Sequence, residues 1–309
     1  MCWFFLIFLA CRSPKNVELS RGSISMSVGG GFIPSGDARI FYRVFGSGAP
    51  ILIINGGHGL DSKEFATPAQ YLAQNGFQVI MFDRRGVGES TLENIDESTI
   101  TMDLFLMDIE NLRTHFGLDA WSVMGHSFGG MLASYYVSKH PQKVEKLILS
   151  SSAGVDRQLF EGDPIAPIHK RLSEEDKKAL KEIEKRYLEG EQGDLGQAFS
   201  EIVARAYVYD DSQSSIVAAR LRRSDHHIGK LISEDMKRIN LDTKPENQYY
   251  DSPVLIIQGK QDIMPEHIAQ IAHNTFPNSQ LVLLDECGHY GWLDQKEKYI
   301  GSIVNFLKD

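Results

Sequence analysis

Along most of the chain, short apolar runs alternate with longer segments whose apolar residues recur every three or four positions. Ile51-Leu-Ile-Ile54 is a continuous apolar run, as expected of a strand buried on both faces of a parallel sheet. Arg39-Ile-Phe-Tyr-Arg-Val-Phe45 instead alternates polar and apolar residues, which predicts a half-buried antiparallel strand. A first pair of strands is therefore expected at 23–28 and 39–46, split by Gly29-Gly30-Gly31 and a turn near Pro34-Ser35-Gly36-Asp37. Further strands are predicted at 51–54, 79–82, 121–124, 144–149, 254–257 and 281–284. Helices are predicted at 64–75, 102–116, 130–140, 265–275 and 294–307. Regular alternation of strand and helix implies an α/β fold with a doubly wound, mostly parallel sheet.

Residues 155–250 break this rhythm, with no convincing strand. Ser173-Glu-Glu-Asp176 reads as a capping-box helix start, followed by Leu180, Ile183 and Tyr187 at helical spacing and by Gly190 as a stop. Phe199, Ile202, Val203 and Ala206 form a second stripe, and Leu231, Ile232, Met236 and Ile239 a third. The expected organisation is an N-terminal segment over 1–22, an α/β core over 23–154 and 251–309, and an inserted helical cap over 155–250.

Composition narrows the class of protein. The 309 residues carry a formal net charge of −9, and basic clusters alternate with acids, so a phosphate-binding basic stripe is absent and nucleic acid is not an expected partner. A soluble enzyme with small or neutral partners fits better. The cysteines Cys2, Cys11 and Cys287 give neither a disulfide framework nor a zinc spacing. No HExxH occurs, and His226-His227 are neighbours on a predicted helix and cannot face one metal, so no metal and no cofactor is expected.

Cys2-Trp-Phe-Phe-Leu-Ile-Phe-Leu-Ala-Cys11 is too short for a membrane-spanning helix but has the length of the apolar region of a signal peptide. Phe8-Leu9-Ala10-Cys11 resembles the bacterial lipobox, and Arg12-Ser13-Pro14-Lys15-Asn16 suits a short polar tether. The expectation is an exported protein attached to a membrane through lipidated Cys11; the alternative is a cytoplasmic protein with an apolar start.

The candidate chemistry centres on Gly125-His-Ser127-Phe-Gly129, a GxSxG pattern. The motif alone is weak, but it lies between a predicted strand and a predicted helix, where a nucleophile elbow belongs. The glycines permit a tight turn, and the serine meets the positive end of the following helix. A serine hydroxyl needs a base to become a good nucleophile. Asp262 follows the strand at 254–257 and His289 follows the strand at 281–284, so both lie past C-terminal strand ends, where sites form in open α/β sheets. The order Ser127, Asp262, His289 is that of α/β-hydrolases, with His289 as base and Asp262 orienting its ring. An oxyanion hole needs two backbone N–H groups: one expected at Phe128, the other from the loop Asn55-Gly56-Gly57-His58-Gly59.

Several motifs together resemble the prolyl-aminopeptidase (proline iminopeptidase) family of α/β-hydrolases. Gly56-Gly57-His58-Gly59 is similar to that family's Gly-Gly-Pro-Gly loop, with His58 in place of proline. Asp83-Arg84-Arg85-Gly86-Val87-Gly88-Glu89-Ser90 resembles its Asp-x-Arg-Gly-x-Gly-x-Ser segment. Gly125-His-Ser-Phe-Gly-Gly-Met-Leu132 resembles its elbow, with Phe128 where many members have Trp, and Gly288-His289 its histidine motif. The resemblance covers roughly residues 37–154 and 250–307. It implies a serine hydrolase that works without a cofactor on small peptides or amides, with Gly57 giving the second oxyanion N–H. The alternative is a carboxylesterase-like hydrolase of small esters or lactones, since related chains use the same machinery on other bonds. His58, in the loop, is a candidate substrate contact. In prolyl aminopeptidases, acids of the cap bind the substrate ammonium. Glu201, beside Ile202 and Val203 and two positions after Phe199, is the cap acid expected to do so here.

Overall fold

A computed structural model describes residues 27–160, 166–190 and 194–309. The N-terminal segment, including the lipobox-like Phe8–Cys11 run, lies outside the described residues, as do residues 23–26 of the first expected strand.

The core is a nine-stranded sheet of β1 (Ser27–Ser35), β2 (Ala38–Phe45), β3 (Ala49–Ile54), β4 (Phe77–Phe82), β5 (Thr91–Leu92), β6 (Trp121–His126), β7 (Val144–Ser150), β8 (Val254–Gly259) and β9 (Ser279–Leu284). Its order is β1-β2-β4-β3-β6-β7-β8-β9, with the short β5 paired to β2. From β4 to β9 every pairing is parallel, while β1 and β2 pair antiparallel at one edge. The chain winds outward from β3 to β4 and then returns past β3 to β6. The C-terminal ends of β3 and β6 therefore flank the switch point where α/β sheets place ligands.

The first strand departs from expectation. Gly29, Gly30 and Gly31 lie within β1, opposite Val44, Arg43 and Tyr42 of β2, and the turn falls at Gly36 with φ 62°. Glycine is needed where β1 runs close over β2. A Cβ on Gly30 would sit 2.9 Å from the Tyr42 carbonyl oxygen, and one on Gly31 3.0 Å from the Tyr42 hydroxyl. A close approach of this kind, rather than a chain break, explains Gly30 and Gly31, while a Cβ on Gly29 would meet nothing within 4 Å.

The helices in the first half are α1 (Ala66–Gln74), α2 (Met102–His115) and α3 (Phe128–Lys139). Between β7 and β8 the described residues form α4 (Ala166–Arg171), α5 (Glu174–Leu188), α6 (Leu195–Arg205), α7 (Ser214–Leu221), α8 (His226–Arg238) and α9 (Lys244–Asn247), with one isolated bridge between Asp156 and Asp242. Ser173 caps α5 by accepting from the Asp176 N–H, as its sequence predicts, and Gly190 follows the helix with φ 78°. After β8 come α10 (Glu266–Thr275), α11 (Gly291–Asp294) and α12 (Lys296–Lys308). α12 is the helix expected over 294–307, and α11 is an additional short turn before it, set off by Gln295 with φ −133°.

Apolar residues of each strand alternate between two cores. Leu52 and Ile54 pack with Phe105, Leu132 and Ala269 on one face, and Ile51 and Ile53 with Phe65, Leu72 and Ile303 on the other. This two-sided burial is why the central strands read as unbroken apolar runs.

One buried ion pair ties the segment after β4 to α2. Arg85 Nε and Nη2 donate to the two carboxylate oxygens of Asp108 on α2 at 2.9 and 2.7 Å, with both side chains fully buried. Removing one partner would strand the other charge in the core. Asp108→Ala is expected to lower unfolding stability by about 3–5 kcal/mol, read from urea denaturation; a loss below about 1 kcal/mol, the worth of a surface pair, would contradict that assignment.

Candidate active site

The elbow forms where β6 passes directly into α3. Ser127 has φ 54° and ψ −123°, a conformation that side chains rarely adopt. Its N–H donates to the Ser150 carbonyl at 3.0 Å, and its own carbonyl accepts from Gly130 and Ala153 at 2.9 Å each. The neighbouring glycines are required by contact. A Cβ on Gly125 would lie 2.3 Å from the Gly129 carbonyl oxygen, one on Gly129 2.2 Å from that of Ile54, and one on Gly130 2.4 Å from the Ser152 hydroxyl. Phe128 is the first residue of α3, so its N–H has no acceptor within the helix.

The loop after β3 faces the elbow. A Cβ on Gly56 would lie 2.8 Å from the Ser127 Cβ. Gly57 has φ 75°, and Leu60 closes beneath it. The loop's shape is fixed by side-chain donors. Asn55 Nδ2 reaches the carbonyls of Gly56, Leu60 and Asp61 at 3.1, 2.9 and 2.9 Å. Arg84, wholly buried at the end of β4, donates to the Asn55 carbonyl at 2.7 Å, to that of Leu60 at 3.2 Å and to that of Gly57. Arg220 of α7 donates to the Gly56 carbonyl at 2.8 Å. Burial, followed by the proximity of Arg220, pulls the Arg84 pKa down to about 9.

On the other side, His289 Nδ1 lies 2.8 Å from Asp262 Oδ1, with side chains 2% and 0% exposed. The His289 ring is 4.6 Å from that of His126, the residue just before Ser127. Ser127 follows β6, Asp262 follows β8 and His289 follows β9, so all three lie past the C-terminal ends of neighbouring parallel strands. His126 itself is packing. Its ring is fully buried, stacks on Tyr290, contacts Phe65 and Trp292, and is held well below its usual pKa by burial and then by His289 and Arg220.

The helical insertion reaches the His289 loop as well. The His289 N–H donates to the Tyr207 carbonyl at 2.7 Å, and the Tyr207 ring meets the His289 ring edge-on at 5.4 Å. Asp294 joins the same two segments by accepting from the N–H groups of Gly288, Tyr209 and Asp210 at 2.8–3.1 Å. Cys287, beside them, is buried, and burial followed by Asp294 and Asp262 pushes its thiol up to about 12, which leaves it unreactive.

Two candidate substrate contacts fall differently. His58 sits in the loop with its ring edge-on to Phe128 at 4.5 Å, close beneath Gly229 of α8. Burial and then Arg84 lower its pKa to about 4, so it is neutral near pH 7. Glu201 does not reach a dry pocket. It is exposed on α6, accepting from Gln197 Nε2 at 2.8 Å, while Leu195, Ser200, Val203 and Ala204 face inward. Apolar neighbours in sequence are a full 100° away per residue on a helix, and they do not share its face. Sequence reading missed Arg84, Arg220 and Asp294. Arg84 stood inside a recognised motif without a role, and the other two carry no local signal.

The alpha/beta hydrolase fold family matches the chain over residues 49–295. The chain belongs to this family and is a hydrolase. Among curated relatives, a proline iminopeptidase of Saccharolobus solfataricus is 30% identical over 280 residues, 86% of this chain and 87% of that protein. A proline iminopeptidase of Clostridioides difficile is 27% identical over 295 residues, 91% of this chain and 99% of that protein. Of solved structures, a Mycobacterium smegmatis proline iminopeptidase superposes with a TM-score of 0.72 at 20% identity, covering 91% of this chain and 98% of that one. An esterase from Exiguobacterium antarcticum superposes with a TM-score of 0.67 at 21% identity, covering 90% and 99%. At those identities the two structures speak to the fold.

Proposed function

We propose that this protein is a serine hydrolase that works through an acyl-enzyme and removes the N-terminal residue from short peptides or amides. The observation that carries the hydrolytic part is the strained Ser127 at the β6–α3 elbow beside a buried His289–Asp262 pair 2.8 Å apart. In this reading His289 accepts the Ser127 proton as the hydroxyl attacks the acyl carbon. Asp262, accepting from Nδ1–H, fixes the tautomer that leaves Nε2 free to act as base. The tetrahedral oxyanion is received by the N–H groups of Phe128 and Gly57. His289 then returns the proton to the leaving amine, and water repeats the sequence to release the acid. The peptidase part is supported by the relatives' names and by their coverage of nearly the whole chain.

A second reading, hydrolysis of small esters or lactones, is favoured by one feature. The charged side chains that bond the oxyanion loop, Arg84 and Arg220, are both cationic, which disfavours a substrate ammonium nearby. Ser127→Ala is expected to keep the fold and lower kcat on the order of 10⁶-fold; retention of more than a few per cent of activity would rule Ser127 out as nucleophile. Comparing prolyl- and alanyl-naphthylamides, free and N-blocked, with p-nitrophenyl esters separates the two readings. Cleavage of free-amine amides alone supports the peptidase, and equal rates on blocked and free substrates support the esterase.

We further propose export, carried by the resemblance of Phe8-Leu9-Ala10-Cys11 to a lipobox. The mature N-terminus is then expected at lipidated Cys11, with the protein in the membrane fraction. Mass spectrometry finding Met1 retained in soluble cytosolic protein would contradict it.

A further inference from the structure

We propose that Arg220, carried by the helical insertion, is a positioning residue that orients the peptide unit between Gly56 and Gly57 so that its N–H faces Ser127. The proposal rests on the serine-hydrolase reading above and assigns the insertion a part in building the oxyanion site.

A trans peptide unit is planar, and the carbonyl of one residue points away from the N–H of the next. Whatever holds the Gly56 carbonyl therefore aims the Gly57 N–H in the opposite direction. Arg220 Nη2 donates to that carbonyl at 2.8 Å, together with Asn55 Nδ2 at 3.1 Å. The unit lies between two glycines, and Gly57 has φ 75°. Glycine visits both signs of φ readily, so the glycine backbone does little to prevent a flip of this peptide, and the side chains that donate to its carbonyl, Arg220 at the shorter distance, choose its orientation. The loop is also close enough for the choice to matter, since Gly56 packs directly on the Ser127 Cβ.

Arg220 is itself fixed in place. It is 2% exposed, its Nη1 donates to the Tyr290 hydroxyl at 2.8 Å, and its guanidinium lies 5.2 Å from the centre of the Phe65 ring and 5.6 Å from that of Tyr290. Glu64 stands 3.7 Å from its Nε and partly offsets the buried charge. One guanidinium thus spans the oxyanion loop and the residue next to His289, and it does so from α7 rather than from the sheet. Arg84 holds the next peptide unit, through the Gly57 carbonyl. If α7 moved away, the Gly56 carbonyl would lose this anchor and the oxyanion donor its orientation.

The test compares Arg220→Met with the native protein in steady-state hydrolysis of a p-nitrophenyl ester and in the rate of labelling by a fluorophosphonate, with circular dichroism and thermal melting to check the fold. Loss of one oxyanion donor lowers kcat by about 10²-fold. R220M is expected to show a fall of that order, with KM changed by less than about threefold and labelling slowed in parallel. Added guanidinium ion should restore part of the rate by refilling the vacated site. Arg223→Met, which removes the neighbouring ion pairs to Asp61 and Glu64 without touching the loop carbonyls, should keep the native kcat. Folded R220M with kcat and labelling rate within about threefold of native, or with its loss confined to KM, would overturn the proposal. If R220M does not fold, Arg220→Lys decides. Its single ammonium lacks the fork that serves Gly56 and Tyr290 together, so kcat should fall by roughly tenfold at unchanged KM, and native kcat would overturn the proposal. A native protein that fluorophosphonates do not label would instead remove the serine-hydrolase reading itself.

Discussion

The site depends on one backbone constraint: β6 must become α3 at a single residue, and that residue is Ser127. Its φ of 54° and ψ of −123° cost on the order of 1–3 kcal/mol for a side-chain-bearing residue. The conformation persists because its surroundings leave no alternative. The Ser127 N–H is tied to the end of β7, its carbonyl is shared by Gly130 and Ala153, and the glycines at 125, 129 and 130 touch backbone or side chain wherever a Cβ would be. A parallel sheet supplies both anchors, since the ends of β3 and β7 flank the end of β6. The strain thus sits on a scaffold whose stability comes from two apolar cores elsewhere.

Around the elbow, two loops are held by bonds to their backbone. The loop after β3 is held by Asn55, Arg84 and Arg220, which donate to its carbonyls, and the loop carrying His289 by the Tyr207 carbonyl and the Asp294 carboxylate, which accept from its N–H groups. Arg220 and Tyr207 both belong to the segment between β7 and β8. That segment therefore bonds the loop after β3 and the His289 loop at once. Any displacement of this segment would disturb both loops together.

Much of this was legible in the chain. Strand and helix positions followed from apolar runs and periodicity, because burial on both faces of a parallel sheet and on one face of a helix leaves those patterns. The positions of Ser127, Asp262 and His289 past the ends of β6, β8 and β9 were legible because apolar runs mark those strands. What escaped shares a different character. Arg220 sits in a basic run, Arg220-Leu-Arg222-Arg223, that reads as a solvated helix face, and its carbonyl partner is 164 residues away. Glu201 misled in the opposite sense: adjacent apolar residues suggested a dry setting, yet helical phase turns its carboxylate to solvent beside Gln197. Gly29–Gly31 looked like a break because glycine marks both turns and close strand approaches, and only the partner strand distinguishes the two.

The central claim is that the strained elbow presents Ser127 as the nucleophile. It is tested most directly by incubating the protein with a fluorophosphonate, digesting it, and locating the adduct by tandem mass spectrometry. The account predicts a single phosphonylated residue, Ser127, and no adduct once the protein is unfolded beforehand. An adduct on any other residue, or none on the folded protein, would contradict it.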